Sequence, residues 1–219
     1  MNILTKKQKA VRANKIAEAA WQLFETRPFT KITMAEIAKN ANVSKGTLFN
    51  YFDCKESLFM TLLLTGYQQY FDDVIKLIEA QATLSTKAFM DLLLSQTKVL
   101  IETRPTLVRL NALRGPVLEQ GANMEQTVSY REKLYAKNQE LGEAVIERIP
   151  SLTVKEVSQL MLVQSAIISG LMNMSSLNAF NHHPLTKVNF ENFQIDLIDD
   201  AVSVFRNYLT GRYPETFKR

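Results

Sequence analysis

Between Thr33 and Glu56 the chain carries three helix-start signals within about twenty residues, and a segment so dense in starts must fold as short helices packed close together. Thr33-Met34-Ala35-Glu36 has the spacing of a capping box, in which the threonine hydroxyl serves one orphan N–H of the first turn while Glu36 reaches back to another. Ser44 is a good N-cap for a very short helix through Lys45 to Tyr51. Asp53-Cys54-Lys55-Glu56 repeats the capping-box spacing and predicts the start of a further helix. Upstream, Ile16, Ala20, Leu23 and Phe24 fall on one stripe of a helix that ends before Arg27-Pro28. The helix opened by Thr33 is expected to bury Met34, Ile37, Ala38 and Ala41, and Asn40-Ala41-Asn42-Val43 forms a short break before Ser44.

The rest of the chain keeps the same period. Only 7 Gly and 6 Pro occur among 219 residues, and no alternating strand run is visible, so the expected fold class is all-α. Leu63, Tyr67, Tyr70, Phe71, Val74, Leu77 and Ile78 continue the helix opened at Asp53 with no flexible linker. Turn signals at Arg104-Pro105, Gly115-Pro116, Gly121-Ala122-Asn123, Pro150-Ser151 and His183-Pro184 divide the remaining residues into helices over roughly 85–103, 105–118, 123–148, 153–178 and 189–211. Helix 153–178 is apolar on most sides and carries Ser165, Ala166, Ser169 and Gly170, which permit close approach. The last helix shows two apolar stripes, Phe190, Leu197, Ala201, Val204 and Tyr208 beside Phe193, Ile198, Val202, Phe205 and Leu209. One stripe can serve the core and the other a second copy of the chain, so a homodimer through helices 153–178 and 189–211 is expected to form a four-helix bundle.

Charge divides the chain unevenly. Residues 1–60 hold 10 Lys/Arg against 5 Asp/Glu, whereas residues 61–219 hold 16 against 17. The basic excess is confined to the cluster of short helices, which suggests that this part meets a polyanion. Charge arrives before any apolar stretch near the N-terminus, and the apolar run Leu58 to Leu64 is broken by Thr61, so neither a signal peptide nor a membrane partner is expected. A single cysteine excludes an internal disulfide and a Cys-x-x-Cys site, in agreement with a cytoplasmic setting.

A helix, a four-residue break and a short Ser-capped helix make helix-turn-helix spacing, in which the second helix enters the major groove N-terminus first. Val43, Leu48 and Phe52 can face the core, leaving Lys45, Gly46, Thr47, Phe49, Asn50 and Tyr51 toward solvent or DNA. Gly46 would let the backbone approach a base edge or phosphate, Lys45 can reach guanine O6/N7 or a phosphate, and Asn50 can bond an adenine edge. Thr33, Thr47, Tyr51 and Lys55, with the N-termini of the neighbouring helices, suit phosphates. Residues 8–60 are therefore read as a helix-turn-helix DNA-binding domain, and 61–215 as a helical effector-binding and dimerisation domain.

Ile16-Ala17-Glu18-Ala19-Ala20 through Leu23-Phe24, then Ile32 to Ala38, Val43 to Phe52 and Lys55-Glu56-Ser57-Leu58-Phe59 closely resemble the tetracycline-repressor (TetR) family of one-component regulators across about residues 11–64. The resemblance implies an all-helical homodimer on a palindromic DNA operator, most often a repressor, with a divergent C-terminal domain that usually binds a small-molecule effector. By the same resemblance Lys45, Gly46, Thr47, Asn50, Tyr51 and Lys55 occupy positions that typically contact DNA; Ser44 belongs with them as the cap. Two positions depart from the pattern. Phe49 stands where the family often has Tyr, which removes a phosphate-binding hydroxyl, and Pro28 replaces a frequent Gly.

An enzyme is the competing class, and its motifs are missing: the glycines are too scattered for a P-loop, a dinucleotide turn or a nucleophile elbow. No cofactor, metal or catalytic residue is assigned. His182 and His183 are adjacent in an expected loop, and Cys54 sits beside Lys55 at a helix start where thiolate is favoured; a solvated pair and an incidental small residue are the plain readings. Met90, Met161 and Met172 can line an adaptable apolar pocket or simply fill a core. Arg109, Arg114, Tyr130 and Tyr135 lie on the middle helices, where they can orient a polar or anionic effector or make surface pairs. A C-terminal domain that is only a dimerisation scaffold is the alternative to effector binding.

Overall fold

In the computed structural model, which describes residues 5–175 and 194–217, the elements among the described residues are all helical. The chain divides into two compact units: one joins the residues up to Gly66 with Leu113–Lys133, and the other joins Tyr67–Ala112 with the chain from Leu134 onward.

The first unit begins with α1 (Lys6–Thr26), started by a Thr5/Gln8 capping box and buried along Ile16, Ala19, Ala20 and Phe24. It ends where Arg27 turns to an extended conformation ahead of Pro28, as the restriction on a residue preceding proline requires. A 3₁₀ turn (Phe29–Lys31) delivers Phe29 into an aromatic cluster, with Phe59 edge-on to Phe24 at 5.5 Å and to Phe29 at 5.2 Å. The expected Thr33/Glu36 capping box forms and opens α2 (Met34–Asn40), which buries Ile37 and Ala38.

The break after α2 has a definite construction. Val43 N donates to Ala38 O at 3.0 Å and Asn42 N to Lys39 O at 3.1 Å, with Asn42 at φ 52°. This is a Schellman stop with asparagine in the left-handed position, which it tolerates better than most residues with a Cβ. Ser44 then caps α3 (Lys45–Phe49), whose Leu48 is fully buried. Truncating Leu48 to alanine would cost about 2–5 kcal/mol.

α4 (Lys55–Glu79) starts differently from the expectation. Its first turn is capped by Cys54, whose Sγ accepts from Ser57 N at 3.3 Å, rather than by an Asp53–Glu56 box. The reason is that Asp53 N is turned toward a residue from the middle of the chain and donates to Gln126 Oε1 at 3.3 Å. Gln126 also donates from Nε2 to Tyr51 O at 3.2 Å, so one side chain brackets the chain between α3 and α4. Asn123 N donates to Ser57 Oγ at 2.9 Å beside it.

Gly115-Pro116 does not break the chain as the turn signal suggests. Arg114–Leu118 forms a π-turn, with Leu118 N reaching Leu113 O at 3.0 Å. Pro116 has no N–H for the ordinary ladder, and the wider turn accommodates it. A short α7 (Glu119–Gly121) and then α8 (Met124–Ile146) come next. Buried Arg131 grips Glu119 with both terminal nitrogens, at 3.1 and 2.8 Å, and Arg114 Nε adds a third contact at 3.1 Å.

In the second unit α5 (Thr86–Thr103) and α6 (Pro105–Ala112) are followed by α9 (Val154–Ser175), α10 (Leu197–Arg212) and α11 (Pro214–Phe217). α10 packs against α5 and α9, and α6 against α9. A Cβ on Gly142 would lie 2.6 Å from Val154 Cγ1, so this glycine lets α8 and α9 approach closely. Polar groups bury in pairs: Gln164 Nε2 donates to Thr97 Oγ1 at 2.9 Å, Tyr70 OH donates to Gln164 Oε1 at 3.3 Å, and Asn111 Nδ2 reaches Ser165 and Ser169. These bonds satisfy groups whose burial would otherwise be costly.

The last helix begins at Leu197, not 189, because Asp196 accepts from the N–H groups of Ile198 and Asp199 and so fixes the first turn. Its buried stripe is Ala201, Phe205 and Leu209, which takes one member from one expected stripe and two from the other; Val204 is exposed. Phe190, Phe193, His182 and His183 lie outside the described residues. α9 is long and apolar enough by length and composition to cross a membrane, yet its Gln164, Ser165 and Ser169 are hydrogen-bonded to α5 and α6 as in the middle of a bundle.

Candidate nucleic-acid interface

The candidate interface is built on α3 and the turn before it. Leu48 and Phe52 anchor the inner side, and Val43 is half-buried. Ser44, Lys45, Gly46, Phe49 and Asn50 are exposed, while Thr47 and Tyr51 are half-buried. The Schellman turn sets the direction in which α3 leaves α2, and Ser44 Oγ fixes its first turn by accepting from Thr47 N at 3.0 Å. The two hydroxyls of Ser44 and Thr47 also bond one another at 2.8 Å. The outer face is thus polar and held in place before any partner arrives.

Two of its members are not accounted for by the unit's own packing. A Cβ added to Gly46 would meet nothing within 4 Å, so neither space nor backbone conformation calls for glycine there. Glycine in a helix costs about 1 kcal/mol relative to alanine, and its missing side chain leaves the backbone of this exposed face open to close approach. Phe49, 42% exposed, is a large ring turned outward with Lys45 Nζ at 5.8 Å from its centroid. Such a pair offers an apolar surface beside a cation, suited to a thymine methyl next to a phosphate or a guanine.

Thr33 is exposed at the start of α2, where it accepts from Glu36 N and donates to Glu36 Oε2 at 2.8 Å. That bond, with the one from Arg27, holds the Glu36 carboxyl below its usual range. Lys55 has a role that spacing did not indicate. Its ammonium, expected at a phosphate, donates to Phe29 O and Ile32 O at 2.9 Å each and lies 4.0 Å from the Phe29 ring centroid. Partial burial lowers its pKa. Lys55 thereby closes the carbonyl end of the 3₁₀ turn and ties α4 to the segment ahead of α2.

The seven residues suggested for an effector are divided between the two units. Arg114 and Tyr130 fall in the first unit, Arg114 bound to Glu119, while Met90, Arg109, Tyr135, Met161 and Met172 fall in the second. Met90 and Met161 are buried, Arg109 and Met172 are half-buried, and Tyr135 is 61% exposed. A cleft of about 410 Å³ in the second unit is lined by none of them; it is formed by Tyr70, Asp73, Lys76 and Leu77 of α4 and Gln96, Val99, Leu100, Thr103 and Arg104 of α5.

Comparison with known proteins places both units. Residues 16–62 match the family model of bacterial regulatory proteins, tetR family, and residues 64–215 match that of the tetracyclin repressor-like C-terminal domain. Among curated relatives, the HTH-type transcriptional regulator YuxN of Bacillus subtilis is 32% identical over 62 residues, 28% of this chain and 21% of that protein. YfiR, a regulator of the same type and organism, is 25% identical over 157 residues, 71% of this chain and 70% of that one. The chain thus aligns with about a fifth of the first relative's length and with most of the second's. Among solved structures, FadR of Bacillus subtilis in complex with stearoyl-CoA has a TM-score of 0.57 at 20% identity, covering 90% of this chain and 98% of that one. FadR of Thermus thermophilus in complex with lauroyl-CoA has a TM-score of 0.55 at 20% identity, covering 91% and 94%. At these identities the likeness is one of fold.

Proposed function

The chain belongs to the tetR family of bacterial regulatory proteins, and on that premise we propose that it is a sequence-specific transcriptional regulator that occupies a palindromic operator as a homodimer and releases it on binding a small-molecule effector. The observation that carries the DNA-binding part is α3: capped, rigidly seated, polar outward, and holding a glycine that the fold itself does not need. Lys45 and Asn50 read base edges, Gly46 allows the close approach, Phe49 supplies an apolar contact, and Thr33, Ser44, Thr47 and Tyr51 serve phosphates. Lys55 supports the frame from within, with one N–H left for the backbone of the duplex.

The homodimer is supported by α9 and α10. Only 28% of the apolar window of α9 is buried within the chain. Leu162 is 63% exposed, and Ala166, Gly170, Met174 and Val204 are exposed with it. Among the described residues a Cβ on Gly170 would meet nothing within 4 Å, so its smallness fits the approach of a second copy. Such a dimer would present its two recognition helices about 34–36 Å apart, on successive major grooves. The protein would act in the cytoplasm, where bacterial DNA is met, and as a repressor rather than an enzyme.

Effector response is supported by the unbroken run of α4 from Lys55 to Glu79, which begins beside the recognition segment and continues into the part of the chain that matches the C-terminal model. The FadR proteins of the same fold are seen with acyl-CoA ligands. An effector that prefers another position of α4 would lower operator affinity roughly 5–150-fold for a coupling of about 1–3 kcal/mol. The test is selection from randomised duplex DNA on the purified protein, with sequencing of the retained duplexes. A palindrome with half-sites about one helical turn apart is expected; recovery of salt-sensitive binding without sequence preference would overturn the reading.

A further inference from the structure

The cleft between α4 and α5 joins two unlike surfaces. Tyr70, Asp73 and Leu77 recur at helical spacing on α4, and Gln96, Val99, Leu100, Thr103 and Arg104 on α5, so two helix faces confront one another across about 410 Å³. That volume lies at the small end of ligand pockets, which span about 300–1,000 Å³.

The apolar part is unfinished. Val74, Ile75 and Ile78 of α4 and Leu93, Leu94, Leu100 and Ile101 of α5 are buried, whereas Leu77 and Val99 are 39% and 37% exposed, and both line the cleft. The charged part is unbalanced. Asp73 Oδ2 takes the Arg104 Nη2, and Asp73 Oδ1 lies 3.5 Å from Lys76 Nζ, so one carboxylate serves two cations. A guanidinium has five N–H donors, and among the described residues Asp73 is the hydrogen-bond partner that the Arg104 guanidinium has. A cationic ligand would meet a net positive rim, and a neutral apolar one would leave the spare donors unused. An added carboxylate completes both the charge and the fork of Arg104.

We infer that this cleft binds a small amphiphilic carboxylate, with its apolar part on Leu77, Val99 and Leu100 and its carboxylate on Arg104 and Lys76. The inference rests on reading the chain as an effector-responsive regulator and gives the effector a site and a chemical class. It also names the contact that responds. The ligand carboxylate competes with Asp73 for Arg104, and Arg104 caps α5 while Asp73 belongs to α4. Occupation therefore loosens a tie between α5 and the helix that starts at the recognition segment.

The probes are saturated alkanoates from hexanoate to dodecanoate, each with the alcohol and the alkyltrimethylammonium of equal chain length, titrated into the full chain by calorimetry and methyl NMR. At least one alkanoate is expected to bind about 10-fold or more tighter than its alcohol, with the ammonium compound not binding and the largest shifts at Leu77 and Val99. Leu77→Ser and Arg104→Gln should each weaken the binding about 10-fold. Lys76→Gln, on an exposed side chain, should weaken it less and leave the thermal midpoint unchanged. Absence of binding across the series, equal binding of acid and alcohol, or binding indifferent to both Leu77→Ser and Lys76→Gln would overturn the assignment. Fluorescence anisotropy of a labelled operator in the same titration separates the two readings: an alkanoate held in the cleft without DNA release keeps the site and overturns the effector role. Release of DNA by a different compound, with the alkanoates silent, overturns the site and keeps effector response.

Discussion

The two units differ in what they leave uncovered. On α3 the exposed groups are polar or charged, short side chains hydrogen-bond one another, and the one outward ring lies beside a lysine. On α9 the exposed groups include Leu162, Ala166, Gly170 and Met174, with Lys155 and Gln159 nearer its start and Asn173 near its end, and the polar side chains Gln164, Ser165 and Ser169 are turned to the helix's own neighbours. The first arrangement keeps its water until a hydrated polyanion arrives, and the second is costly unless another apolar surface covers it. Each face holds a glycine, Gly46 or Gly170, at which an added Cβ would meet nothing within 4 Å among the described residues.

Substitutions can break that contrast at either end. The largest effect is expected at α9: Leu162→Glu places a charge at the centre of the expected dimer face and should lower operator affinity about 100-fold or more, with a monomer seen by sedimentation. A dimer that persists at micromolar concentration would show that α9 is not the covered face. Gly46→Ala should act oppositely on two observables. Operator affinity should fall by about 10-fold, the low end of a lost base-edge contact, while the thermal midpoint stays level or rises because alanine is the better helix former. Loss of both together would mean that Gly46 matters to the fold.

A smaller effect sharpens the comparison inside the first unit. Gln126→Ala removes both bonds of the bracket and should cost about 1–3 kcal/mol in chemical denaturation, with earlier amide exchange at Asp53. The smallest is pH-dependent. Glu119 is held below its ordinary carboxylate range by the hydrogen bond from Arg131, against partial desolvation and with help from Arg114. Its contribution is complete above the unfolded pKa of about 4.3 and is lost as pH falls through the lower folded value. Glu119→Gln should therefore flatten the acid side of the stability profile and change little at pH 7 beyond the lost ion pair. An unaltered acid limb in urea titrations would remove Glu119 as its source.

The first unit is more legible in sequence than the second because its signals are local. Thr33 with Glu36, Ser44 before a short helix and the buried positions of α1 and α2 lie within a few residues of the groups they serve. The association of residues 113–133 with those helices has no such signature, since the bonds from Asn123 and Gln126 span 66 and 73 positions or more. Lys55 illustrates the same limit, because a lysine beside a helix start reads as an outward cation until the carbonyls of Phe29 and Ile32 are seen above it. In the second unit, Met90, Arg109, Tyr135, Met161 and Met172 stand out in sequence by chemical character alone, which carries no information on what they face. The cleft is assembled from faces of α4 and α5, and Asp73, Lys76 and Arg104 look in sequence like ordinary surface charges.

The Gln126 bracket also sets an order of events during synthesis. Residues 51–53 leave the ribosome more than seventy positions before their partner, so the junction behind α3 stays open while the whole of α4, α5 and α6 is made. Closing so long a loop is an entropic charge met late, after the local helices have formed. A nascent chain can thus hold a shaped recognition helix well before its far support is in place. Competence to grip a duplex is a property of the finished polypeptide, and a truncation ahead of residue 126 should yield helices without a settled junction.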